Sequence, residues 1–431
     1  MRSLGNRCAL FGSVAGAALL AGGVLCQTAT FALPRSSPRR AARGAIFQAV
    51  SAAETTALGA SEGARPAAAA RSELVTSLLG RGGFSLAGAA GTACVSATWC
   101  VAVGSGTVLH GQTRLTSNTA LIWRFGGRSW RLADRLRVRQ GALLSVSCVS
   151  SSFCMAVGRT GNPLGRVLAV EWNGRAWSLV RAADPASSGN GDALGSVDCL
   201  SRSDCWAVGG VNLGEGSPHL RHDLVEHWNG RAFTAVAAPV TGNSLIAIAC
   251  PGPANCWASG YPSGSQRSTN EIEHFDGRAW RTVRVQASFA GGASGISCRT
   301  FATCWLVGAT TGGGLRPTSL RLLEGTWRNV AMVSPSYPDV TLQGLSCASA
   351  SDCWAVGGNY LVGPGITRPS KTAPFGEQWD GSSWQIAEVL GPAASRSGFF
   401  ATAACAPTGL CIAAGQASDG QPLFAVSRSL G

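Results

Sequence analysis

Sulfur supplies the most regular chemistry in this chain. Fourteen of its sixteen cysteines form pairs with five residues between them: Cys94/Cys100, Cys148/Cys154, Cys199/Cys205, Cys250/Cys256, Cys298/Cys304, Cys347/Cys353 and Cys405/Cys411. Paired thiols can hold a metal or oxidise to a disulfide. Zinc ligands usually come as C-x2–4-C with a second pair close by. Here five residues intervene and each pair stands alone in its stretch, which favours a cystine. Each cystine would close a short ring, worth roughly 2–2.5 kcal/mol in the chain-entropy account.

The other reactive groups form no catalytic constellation. His227 and His274 hold one repeat position, filled by Glu171 and Gln378 in other units, which marks them as interchangeable strand residues. His219 and His222 are the only close histidine pair outside the strands. There is no G-x-S-x-G nucleophile motif and no H-E-x-x-H zinc helix. Glu226, Glu273 and Glu377 each precede a strand-ending aromatic by two residues, but in different units. No paired-carboxylate site is therefore expected. No catalytic residue, metal or cofactor follows from the sequence.

These residues are positioned by a repeat. The first cysteines of successive pairs lie 54, 51, 51, 48, 49 and 58 residues apart, and a period near 50 marks a propeller or a solenoid. Each unit reads as four short strands. The first ends in a cysteine ("ALLSVSC"), the second follows its partner ("CWAVGG"), the third ends in an aromatic ("LVEHW") and the fourth opens on one ("AWSLV"). Between the third and fourth lie Asn173-Gly174, Asn229-Gly230, Asp276-Gly277 and Asp380-Gly381, a signal for a type I′ turn with positive φ at both residues. The cysteines then face each other across the first hairpin, where Cβ atoms sit about 4.5–5.5 Å apart. Twelve of the fourteen tryptophans follow the second cysteine or flank the third turn, as interblade packing would place them. The fold expected is all-β: a seven-bladed β-propeller of four-stranded antiparallel blades with one C-x5-C disulfide per blade. The last unit lacks a fourth strand, and Arg71–Leu79 is the stretch expected to supply it and close the ring.

Alternating strands put the first and third turns of every blade on one face. The longer, variable connections share the other, and rigid scaffolds commonly carry function on such loops. Arg114, Arg159, Arg221, Tyr261, Arg267, Arg316, Tyr360 and Arg368 are the candidate ligand-binding residues there, with Arg139 and Lys371 in the same set of loops. A rival surface lies on the opposite face. Arg128, Arg175, Arg231 and Arg278 each follow a turn glycine and would form part of a ring, broken at Thr326 and Ser382.

The unit resembles the kelch repeat, an apolar strand ending in Gly-Gly, then a strand ending in an aromatic, then a turn and a tryptophan. Here it reads "CWAVGG…LVEHWNGRAF", with Phe233 at the tryptophan position. The cysteine pair departs from that family and looks like a related repeat of secreted bacterial propellers. The resemblance covers about residues 70–431 and implies a fold, not an activity. Some kelch propellers carry copper oxidase chemistry on paired Tyr and His ligands, and the matching tyrosine pattern is absent here.

The N-terminus reads as a targeting signal. Arg2 and Arg7 precede an apolar run, Cys8–Leu25, and Thr30 and Ala32 suit a cleavage site. Residues 1–32 are thus a signal peptide or an uncleaved anchor, residues 33–69 a flexible linker, and residues 70–431 the propeller. Export suits disulfides. The net charge is +13, of which residues 1–85 carry +6. The remaining basic residues are spread out, which favours anionic partners but not nucleic acid. The sequence points to a secreted or cell-surface monomer that binds an anionic glycan, a cell-wall polymer or a protein. The membrane enters only through an uncleaved N-terminal segment. The second reading is a secreted enzyme acting on polysaccharide or glycoconjugate at the variable-loop face.

Overall fold

A computed structural model of the chain describes residues 46–50, 84–109, 116–161, 165–183, 192–212, 221–239, 243–262, 268–290, 292–301, 303–311, 314–333, 339–361, 371–390 and 397–428. Each unit of the repeat folds into one sheet, and the seven sheets are the blades, numbered here in the order of their cysteine pairs. Six sheets have four antiparallel strands in sequential order, and the seventh has five strands.

All seven predicted disulfides form: Cys94–Cys100, Cys148–Cys154, Cys199–Cys205, Cys250–Cys256, Cys298–Cys304, Cys347–Cys353 and Cys405–Cys411, with Cα–Cα separations of 3.9–4.1 Å. Their position follows from register, since Cys199 lies opposite Cys205 and Cys347 opposite Cys353 across the first hairpin. The second cysteine of each pair lies in the core. Cys100, Cys154, Cys205, Cys256, Cys304 and Cys353 have no exposed surface, and Cys411 is 1% exposed. These half-cystines were singled out from the sequence for their chemistry, but burial makes them packing residues. They present no sulfur to a ligand.

The innermost strand of every blade carries a β-bulge three or four residues before its cysteine. Register shifts at Leu194/Ser196 and Leu342/Gly344 are two examples. A bulge leaves one residue unpaired and sharpens the local twist. It also explains the glycine of "AVG". A Cβ on Gly209 would run into the carbonyl oxygen of Ala193, and one on Gly357 into that of Thr341.

The third turn differs from the two-residue hairpin expected. Trp172 pairs with Trp177 and Trp228 with Phe233, so four residues intervene. Only the glycine takes positive φ, 95° at Gly174 and 91° at Gly230. The preceding side chain holds the loop: Asn173 Oδ1 accepts from the N–H groups of Arg175 (2.9 Å) and Ala176 (3.1 Å). The two-residue turn with positive φ at both positions occurs in blade five, at Glu324 (51°) and Gly325 (75°).

Tryptophans bind blade to blade. Trp206 of blade three packs on Phe275 of blade four at 4.6 Å between centroids, and Trp305 of blade five on Trp379 of blade six at 4.8 Å. Blade one meets blade seven through Trp130 stacked on Phe424 at 4.4 Å and through Thr92 Oγ1 at 3.0 Å from Thr402 Oγ1.

The seventh blade is completed by a strand the sequence reading placed elsewhere. Ile46–Val50 runs antiparallel to Pro422–Arg428 and parallel to Glu388–Leu390. It falls in the stretch read as a linker, and Arg71–Leu79 lies outside the described residues. Register gives the reason. In blade three, Cys205 faces Trp228 and Trp228 faces Phe233. In blade seven, Cys411 faces Ser427 and Ser427 faces Phe47. The aromatic missing from Arg71–Leu79 is Phe47.

Candidate functional site

Several groups with reactive potential hold the scaffold together. The sulfurs are the first case. Cys100 and Cys154 pack in the apolar clusters of blades one and two, Cys256 in that of blade four and Cys304 in that of blade five. His227 Nε2 lies 2.8 Å from Asp204 Oδ1, and His274 Nε2 lies 3.0 Å from Asn255 Oδ1. In blade six Gln378 Nε2 donates to Asp352 Oδ1 at 2.9 Å. These side chains make one repeated latch between the third strand and the residue before the second cysteine. His274 also stacks on Trp257 at 3.9 Å, and burial pushes its basicity down.

Glu226 and Glu377 are fully buried and tie neighbouring blades. Glu226 Oε2 accepts from Ala183 N–H at 3.1 Å, and Glu377 Oε2 accepts from Val333 N–H at 3.0 Å. Burial pushes the Glu377 carboxyl up to about 8, opposed by the Val333 bond. Glu273 meets a different neighbour, the Asp223 side chain of blade three. Burial first, then the charge of Asp223 and a hydrogen bond shared with it, push Glu273 up to about 9. Sequence reasoning missed this pair because it compared only equivalent positions in successive blades.

The central channel has a cavity of 140 Å³ lined by all seven innermost strands. Its walls are glycine, alanine, aliphatic side chains, hydroxyls and Gln343, with no carboxylate or imidazole among them. Around it, side chains of one blade accept from edge N–H groups of the next: Ser147 Oγ from Cys199 (3.1 Å), Asp198 Oδ2 from Cys250 (2.8 Å) and Ser346 Oγ from Cys405 (2.9 Å). Burial raises the Asp198 carboxyl to about 6 even though it accepts from Cys250 N–H, the Ser147 hydroxyl and Cys199 N–H.

Two faces remain. On the cystine face, Arg128, Arg175, Arg231 and Arg278 are all exposed at turn tips. Neighbouring Arg281 is paired with Asp276 at 3.2 Å. On the variable-loop face, the candidates are distributed rather than gathered. Arg159 is exposed at the end of the second strand of blade two, and Arg316 is half-buried in the third strand of blade five. Arg221, Tyr261 and Tyr360 belong to strands Arg221–Trp228, Asn255–Pro262 and Asp352–Leu361, at the same end of blades three, four and six. Arg114, Arg267 and Arg368 lie outside the described residues.

A concavity runs along the outer edge of blade one. It has a volume of 740 Å³ and is lined by Thr119 and the run from Leu132 to Val138. Burial alternates along that run: Leu132, Asp134, Leu136 and Val138 are half-buried, while Ala133, Arg135, Arg137 and Arg139 are exposed. Leu136 and Val138 pack against blade two. Arg159 adjoins the end of the run, since Ala142 pairs with it and Gln140 O accepts from Gly161 N–H at 3.1 Å. Sequence reasoning noted Arg139 and Arg159 but passed over Arg137, which sits in no repeat position.

The fold and its faces define a disulfide-stapled seven-bladed propeller. Among solved structures it is similar to "YCF48 bound to D1 peptide", with a TM-score of 0.50 and 14% identity over 80% of this chain and 94% of that one. It is also similar to YCF48 from Cyanidioschyzon merolae, with a TM-score of 0.46 and 14% identity over 79% and 96%. No family model and no curated protein matches the chain.

Proposed function

We propose that this protein is an exported, kelch-like binding module whose partner is anionic: a protein surface, an anionic glycan or a cell-wall polymer. One observation carries the reading. The buried carboxylates and the strand histidines latch strands and blades, whereas the exposed charge on both faces is mainly arginine. A rigid ring with outward arginines is suited to recognition, because the guanidinium fork matches carboxylate and phosphate oxygens. A solved structure of similar fold, YCF48, is bound to a D1 peptide, which favours a protein partner. Seven cystines fit an oxidising compartment, in keeping with export.

The test is a screen of the intact chain against acidic proteins, anionic glycans and cell-wall polymers at low and raised salt. Raising the salt from 0.1 M to 1 M shortens the screening length from about 10 Å to about 3 Å. Binding that weakens accordingly supports the reading. Absence of binding to every anionic probe at low salt overturns it.

A further inference from the structure

We propose that the outer edge of blade one is a docking site for an extended acidic peptide that adds to the sheet as a further strand. The inference rests on the binding-module reading and gives it a place and a partner chemistry. Three observations converge on this edge.

The first is an unpartnered strand. Trp130–Arg135 is the last strand of its sheet, and no other described strand pairs with its outer side. Such an edge offers unpaired N–H and C=O groups to an incoming strand. The edge continues for a short way: Leu136 N–H still bonds to Ala120 O at 3.1 Å, and the alternation of burial continues to Arg139, where the chain turns. The second is a concavity of 740 Å³ along the same run. The third is charge with a strand's period. Arg135, Arg137 and Arg139 project to the exposed side in turn, about 7 Å apart at the rise of an extended chain. Arg159 of blade two stands at the far end. Asp134 is the one acid in the run. Its Oδ1 accepts from Arg135 N–H at 2.7 Å, and its side chain is on the half-buried side, away from the three arginines.

An added strand repeats this geometry. Side chains at alternate positions of the incoming peptide would lie along the arginines, and the intervening ones along Leu136 and Val138. The fitting sequence therefore alternates an acidic residue with an apolar one. Exposed charges on an edge strand can also serve only to prevent aggregation, and the experiment separates that role from recognition.

A fluorescein-labelled peptide of alternating Glu and Val is titrated into the intact chain by anisotropy. It is compared with a peptide of the same composition in which the glutamates form one block, and with heparin. The proposal requires the alternating peptide to bind at least about tenfold tighter than the block peptide. Arg137→Glu/Arg139→Glu should lower its affinity tenfold or more, while Arg175→Glu/Arg231→Glu on the opposite face leaves it unchanged. The first double variant keeps its edge charged, so a purely protective role would leave binding intact, and that result overturns the proposal. Equal binding of the two peptides, or heparin binding that survives the blade-one variant, also overturns it. Salt-sensitive binding that persists in this variant and disappears in the opposite-face variant would leave the binding-module reading standing and remove only the site.

Discussion

At the scale of residues, the buried acids make the sharpest expectations. Glu273 is 1% exposed, and its neighbour is another acid. Its proton is held to about pH 9 in the fold, whereas an ordinary glutamate in the unfolded chain releases it near 4.5. The folded state thus binds more protons between those values. Its contribution is complete below the unfolded pKa and is lost as pH rises toward 9. Glu273→Gln keeps the shape, removes the titration and can still donate to Asp223. Melting curves between pH 5 and 9 should show the variant about 2–4 °C more stable than the parent at pH 8 and near it at pH 5. An unchanged pH profile would dismiss this account of the pair. Ser346→Ala makes a smaller change. It strips the acceptor from the Cys405 N–H and should cost about 1 kcal/mol in denaturant unfolding.

At the scale of elements, the first hairpin carries the repeat. Removing one staple as Cys199→Ser/Cys205→Ser should cost roughly 2 kcal/mol. Gly209→Ala should cost more, because the added carbon meets the bulged carbonyl of Ala193 rather than a yielding side chain. Chemical denaturation of both variants, ranked against the parent, checks the order. This level was also the most legible in the sequence. Cysteine spacing placed the hairpins, and residues such as Trp206 and Trp305 placed the blade contacts, because both repeat in register. Spacing alone did not say that Cys100, Cys154, Cys256 and Cys304 would be sealed in the core, since burial depends on the neighbouring strands and blades. The turn at Asn173-Gly174 was misjudged in length. A positive-φ glycine is common to two-residue and four-residue loops, and only the pairing of Trp172 with Trp177 separates them. The Asp223–Glu273 pair was hidden for another reason: it depends on which side chains meet between blades, which no single unit encodes. Arg137 was hidden because it owes its setting to a connection that does not repeat.

At the scale of the whole molecule, the ring is shut by a segment remote in sequence from its partner. Deleting residues 44–50 removes the strand that Pro422–Arg428 pairs with on its outer side. The variant should melt at lower temperature, and limited proteolysis should cut first in blade seven. An unaltered melting curve and digestion pattern would mean that the strand adds nothing to closure. The sequence reading sought this strand at a fixed distance before Cys94, and that rule failed because a longer stretch separates Val50 from Phe84. The aromatic at Phe47 is the usable signal.

The seat of Ile46–Val50 also sets an order of events during synthesis. This segment leaves the ribosome before any other strand described here, and its antiparallel partner, Pro422–Arg428, leaves last. Six blades can assemble from neighbouring hairpins as they emerge, but the earliest strand must wait, unmatched, until Pro422–Arg428 of blade seven has been made. Closure is therefore a late step, and a ribosome that stops short leaves an open ring with its seventh blade unfinished.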